Sequence, residues 1–174
     1  LIVDPADGKI PPLTEEGKRR TAKRAEEAEK LGGRWDSAES NQLDDRCLIM
    51  AGPGPPMMDA GYNSNYQIVQ SSGVVMILTE MIHDVRIVTL DGRPQPDAKV
   101  RQWMGISRGR WEGDTLVVET TNFNGKNPFR GSDENLKVIE RFTRVADDTI
   151  EYRFTIDDPT MWTRPWTGES GMEK

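Results

Sequence analysis

The stretch GISRGRWEGDTLVVETTNF, Gly105–Phe123, constrains the fold more tightly than any other part of the chain. Ile106, Arg108 and Arg110 fall on one side of an extended segment, with Ser107 and Trp111 on the other. Glu112-Gly113-Asp114 then supplies turn chemistry: a glycine free to take positive φ, beside an acid able to bond its own backbone. Thr115–Thr121 follows, β-branched and alternating. The pattern predicts a β-hairpin, and with it an antiparallel scaffold.

Strand signals extend in both directions. Upstream, Tyr66–Gln70 and the strongly apolar Val74–Ile82 flank a Ser71-Ser72-Gly73 turn, and Asp84–Leu90 comes next. Val100–Trp111 and Thr115–Thr121 make the hairpin just described. Downstream, Leu136–Val145 and Thr149–Asp157 flank Ala146-Asp147-Asp148 as a second hairpin, and Met161–Thr167 gives a last, tryptophan-rich strand. Links are mostly short and no helix between strands can serve as a crossover, so the expected sheet is an antiparallel meander of about eight strands. A meander of that size either closes or leaves a sticky edge. The fold expected is therefore mainly β, a lipocalin-like (calycin-type) barrel, with an open or two-layer sheet as the alternative.

The first 56 residues are of another character, which divides the chain into an N-terminal arm, helix and loop (1–56) packed on a barrel domain (57–174). Leu1–Leu13 is an extended arm whose Ile2, Val3, Ile10 and Leu13 need burial. Thr14-Glu15-Glu16-Gly17 opens a helix: a hydroxyl to cap the first-turn amides, and two acids where the macrodipole favours them. Its apolar stripe is thin, Ala22, Ala25, Ala28 and Leu31, so it reads as a surface helix. Gly32-Gly33 stops it, and Ala51–Pro56 (AGPGPP) marks the seam with the sheet.

Composition excludes several chemistries. A net charge of −6 argues against a basic nucleic-acid face, and the basic cluster at 18–24 is neutralised by the glutamates after it. No apolar run approaches the ~20 residues of a membrane span, and no signal peptide is visible. Cys47 is the one cysteine, which precludes an intrachain disulfide or a thiolate zinc site within this sequence. It reads as a buried small hydrophobe, or as a half-cystine whose partner lies outside the sequence. His83 is the one histidine and precludes a multi-histidine metal site, so no metal or cofactor is expected.

The densest ionisable cluster on the apolar strands is Glu80-Met81-Ile82-His83-Asp84-Val85-Arg86. Glu80 falls in the row Val74, Met76, Leu78, where burial would raise its pKa. Both faces of that strand are apolar, so cover on both sides is expected. Glu80 or Asp84 with His83 would form an acid–base pair, and Arg86 or Arg101 would stabilise an anion. Asn63, Asn65 and Tyr66 suit the orienting of a ligand at a barrel mouth, and the sheet tryptophans Trp103, Trp111, Trp162 and Trp166 suit the wall of a cup, Trp103 and Trp111 being the ones expected at the ligand. Against these stand plainer readings: a structural histidine, a salt network without chemistry, turn amides and core indoles.

The segments YNSNYQIVQ (62–70), EMIHDVRIV (80–88), RQWMGISRGRWEGDTLVVETTNF (101–123), ENLKVIERFTRV (134–145) and FTIDDPTMWTRPW (154–166) together resemble a widespread family of β-rich bacterial proteins. DPADGKIPPLT (4–14) is similar to the same family. Its members are common in soil and environmental genomes, are often exported, and bring no established activity with them. The resemblance implies a periplasmic or extracellular location. Members often run on into a stretch with a further cysteine and histidine, which leaves a partner for Cys47 open.

Three functions follow as expectations. One is a barrel binding a small, largely apolar molecule. Another is a cofactor-free lyase, isomerase or hydrolase working in the same pocket. The third is a structural or assembly protein with a filled barrel, forming homo-oligomers through the arm or a sheet edge.

Overall fold

The computed structural model describes residues 1–33, 35–50, 52, 54–58 and 61–173. Ala51 and Pro53, within the expected seam, lie outside the described residues, as does Lys174. Among the described residues nine strands form one sheet: β1 (Ile2–Asp4), β2 (Tyr66–Ser71), β3 (Val74–Thr79), β4 (Val85–Thr89), β5 (Ile106–Glu112), β6 (Thr115–Thr121), β7 (Lys137–Arg144), β8 (Thr149–Asp157) and β9 (Trp166–Glu173). The helix α1 (Glu15–Lys30) and short 3₁₀ turns at Met81–His83 and Phe129–Gly131 complete the order among the described residues.

The spatial order is β1-β9-β8-β7-β6-β5-β4-β3-β2. Both expected hairpins form, with Trp111 opposite Leu116 in β5–β6 and Phe142 opposite Tyr152 in β7–β8. Two features correct the expected meander. The first is that β4 and β5 pair in parallel, through Val88↔Ser107 and Thr89↔Arg108 alone, so the sheet is mixed. Residues 90–105 act as the crossover without forming a helix, which is why the helix count failed to reveal it. The second is that the sheet is not closed: among the described residues no ladder joins β1 to β2, so both remain edges. The final strand also starts later than expected, at Trp166. Trp162 makes only an isolated bridge to Leu13, and Trp103 lies outside the strands.

The core lies on the inward face. Val75 and Ile77 on β3, Leu116 and Val118 on β6, and Val138 and Phe142 on β7 are buried, as period two requires. A run of ring contacts, Phe142–Tyr152–Phe154–Trp166–Trp162, crosses it with centroids 5.0–6.0 Å apart. Each such side chain contributes roughly 1.5–3 kcal/mol by leaving water. The opposite face of β3 is not covered as expected. Met76 pairs with Ile87 and Leu78 with Val85, and the two β4 residues are about half exposed (49% and 48%).

The reason is that α1 docks elsewhere. Its N-cap Thr14 accepts from the Gly17 amide (2.9 Å), and buried Gly17 sits so close to the Met161 carbonyl that a side chain would not fit. Arg20 pairs with Asp133 (3.1 Å), and Arg24 donates to the Gly131 carbonyl (2.7 Å). The alanine stripe is exposed, so the attachment runs through a glycine and two arginines instead. Alongside, the Thr14 amide donates to the Met161 carbonyl (3.0 Å) and the Thr163 amide to that of Pro12 (3.0 Å), tying the N-terminal segment to the turn before β9.

Candidate functional site

Glu80–Asp84 leaves the sheet. Buried Thr79 ends β3, and its hydroxyl donates to the Met81 carbonyl (3.0 Å), its amide to that of Asp84 (2.9 Å). Between them the chain makes a tight turn with Ile82 and His83 both at positive φ (59° and 48°). Glu80 lies one residue past the strand, and the row it was placed in, Val74, Met76 and Leu78, is the half-buried outer face of β3 rather than the core face. Glu80 is exposed, and its carboxylate accepts from the Asn65 side-chain amide (2.7 Å). His83 is exposed too, and among the described residues no side-chain hydrogen bond joins it to Glu80. Asp84 is half-buried; burial raises its carboxyl above the ordinary range, and His83 partly offsets this.

The other expected residues scatter. Asn63 is exposed in a left-handed conformation (φ 49°). Arg101 donates to the carbonyls of Phe123 (3.1 Å) and Glu134 (3.2 Å), a structural brace. Trp103 lines only a small crevice with Phe123, Phe129 and Leu136, and Trp111 is half exposed beside the hairpin tip. Cys47, expected to be buried, is exposed as a free thiol. Asn65 and Tyr66 do reach a cavity, and the Tyr66 hydroxyl donates to the Met58 carbonyl (3.4 Å).

The cavity that Asn65 and Tyr66 reach is a broad concavity. It holds about 930 Å³ and is open-mouthed, and both sheet edges contribute to it: Ile2 from β1, and Tyr66 and Ile68 from β2. Met57, Met58 and Ile10 enter from the N-terminal region, while Ile150, Phe154, Trp166 and Met172 come from β8 and β9. Arg130, Arg144, Asp147, Asp148, Glu169 and Glu173 supply its charges. An apolar wall with a few polar groups, in a volume within the usual ~300–1,000 Å³, has the character of a small-molecule site.

Beneath it lies a network that sequence reasoning missed. Arg86 (4% exposed) on β4 faces Glu140 (0%) on β7. Nη1 donates to Oε1 (3.1 Å); Nη2 lies 2.9 Å from Oε2, close enough to pair but off the line of a hydrogen bond. Tyr152 donates to the same Oε1 (2.8 Å) and accepts from the Met57 amide (2.8 Å). Burial, and then the Glu140 carboxylate, push the Tyr152 phenol well above its ordinary value, so it stays protonated and donating. Arg86 had been expected at the ligand, but here it is walled off from the cavity. Its partner Tyr152 holds the backbone of Met57, whose side chain lines the cavity. The signal was present in VIERF: period two sets Glu140 between Val138 and Phe142, both core.

Fold and site define a class: a single curled, open-edged β-sheet with an apolar cavity between its edges. Among the described residues no group of three or more His, Cys, Asp or Glu side chains is placed to hold a metal, and no helix is long and apolar enough to cross a membrane. Comparison with protein-family models, with curated proteins and with solved structures returns no match.

Proposed function

We propose that this protein binds a small, largely apolar molecule in the cavity between its two sheet edges. The observation that carries the reading is the cavity itself, about 930 Å³ and walled by Met57, Met58, Ile68, Ile150, Phe154 and Trp166. A filled-barrel structural protein would have those side chains packed together. The lipocalin-like reading enters here as a mode of binding, a ligand held by inward-facing side chains of a curled sheet. A periplasmic or extracellular location, which the sequence resemblance implies, belongs to the same proposal. An acid–base enzyme built on Glu80 and His83 has less support, because neither residue lines the cavity.

Titration with the apolar dye N-phenyl-1-naphthylamine tests this. Wild type is expected to bind it saturably. Ile68→Trp, which adds bulk from an edge strand rather than the core, should weaken binding about tenfold, or roughly 1.4 kcal/mol. Trp111→Ala, remote from the cavity, should leave it unchanged. Non-saturable dye uptake, or an Ile68→Trp variant that binds like wild type, would sink the reading.

A further inference from the structure

The cavity is polarised along its length. β8 and β9 run beside it, from the Thr149↔Glu173 pair at one end to Ile156↔Trp166 at the other, roughly 24 Å at strand rise. The Thr149 end is acidic. Asp147 is matched there by Arg144 (3.1 Å), but Asp148 and Glu173 have no cationic partner among the described residues. Glu169, midway, is taken up by Arg153 on the same two strands (2.6 Å).

The Trp166 end offers donors instead. The Phe129 ring stacks on Trp166 with centroids 6.2 Å apart, and the next residue is Arg130, which also lines the cavity. Arg130 has no hydrogen-bond or ion-pair partner among the described residues, in a protein whose other cavity-lining arginine is paired. It sits at φ 49°, a conformation uncommon outside glycine and one that collects at ligand-binding turns. The turn is held in place from outside by the Arg24 bond to the Gly131 carbonyl. Trp166 itself is 1% exposed and lines the cavity, and its indole Nε1 has no hydrogen-bond partner among the described residues. A buried donor left unmatched is rare and costly, but this one is sealed from solvent, so Arg130 is the group at this end that a bound molecule can reach.

We infer that the ligand is an amphipathic monoanion, with a carboxylate received by Arg130 at the Trp166 end and an apolar body extending past Phe154 and Ile150. The inference rests on the cavity being a binding site. A lone guanidinium matches a carboxylate in charge and in its two-oxygen geometry, whereas a phosphate dianion would lack a second cation. The acidic far end disfavours a second negative group on the same molecule.

Calorimetric titration with decanoate, decanol, decyl phosphate and decylamine, which share a chain and differ in the head, tests it. Decanoate is expected to bind wild type at least about tenfold more tightly than decanol, and more tightly than decyl phosphate. Arg130→Gln should abolish that preference while decanol binding and the unfolding midpoint stay unchanged, since Arg130 is exposed. Equal affinity for decanoate and decanol overturns the anionic head and leaves the apolar cavity standing. Retention of the preference in Arg130→Gln overturns the role of Arg130, and tightest binding of decyl phosphate or decylamine overturns the carboxylate. If none of the four binds, the cavity reading fails first and this one with it.

Discussion

Asp84 and Arg86 are two residues apart, yet they belong to opposite environments. Asp84 closes a turn whose Glu80 and His83 are exposed to water; Arg86, one strand step further in, is sealed against Glu140 and Tyr152. In the turn, charges are screened and little depends on any pair of them. In the core, each charge has lost its hydration, so the cost of losing either partner is large even where the intact pair contributes modestly. Density of ionisable residues in a sequence is thus a poor guide to where electrostatics matter. Burial decides that, and on a strand burial turns on a single residue of phase.

The largest expected effect comes from breaking the buried pair. Glu140→Ala should destabilise by about 3–5 kcal/mol in urea unfolding, because it strands the Arg86 guanidinium. Replacing both, as Arg86→Met with Glu140→Leu, should recover most of that loss, and a double variant as unstable as the single would contradict the account. Tyr152→Phe comes next, at about 1–3 kcal/mol, since it leaves the buried Met57 amide without its acceptor. The same residue carries a pH signature. Its folded-state pKa is raised, so the folded chain keeps a proton that the unfolded chain releases, and the stability it contributes is full below the ordinary phenol range and lost as pH rises from there through the raised value. Alkaline unfolding curves of Tyr152→Phe should lack that increment of decline.

The exposed turn gives the smaller effects. Asp84 has a folded pKa raised by burial, so its contribution is full below the ordinary carboxyl range and diminishes as pH rises through the raised value. Asp84→Asn should therefore be slightly more stable than wild type at neutral pH and indistinguishable from it in acid, a difference that thermal melts at two pH values can detect. Smallest of all, Glu80→Gln and His83→Ala should shift stability by no more than about 0.5 kcal/mol and leave dye binding intact. A marked loss of binding in either would return that turn to the functional site.

Much of the sheet was legible because its signals are local. Turn residues at Gly113 and at Ala146-Asp147-Asp148, flanked by alternating β-branched residues, determine their hairpins without distant information. The parallel β4–β5 contact was not legible, because it depends on how residues 90–105 travel through space. On β4, Val85 and Ile87 face outward while Arg86 and Val88 face in, so hydrophobicity alone does not give that strand its phase. At the site, Tyr66 could be placed from its position at the head of β2. Arg130 could not, since nothing in NPFRG announces a cavity that forms only when β8, β9 and the two sheet edges come together.

The two-rung parallel seam divides the sheet into leaves of unequal permanence. β5–β9 interlock over long ladders, whereas β2–β4 is fastened to them along the sheet only at Val88↔Ser107 and Thr89↔Arg108. Across the interior it is clasped by Arg86 reaching Glu140. Because Tyr66 and Ile68 stand on the lightly fastened leaf, its swing would set the width of the cavity mouth. Amide exchange should accordingly release β2–β4 as a unit before β6–β8, and loosening the clasp should quicken that release first.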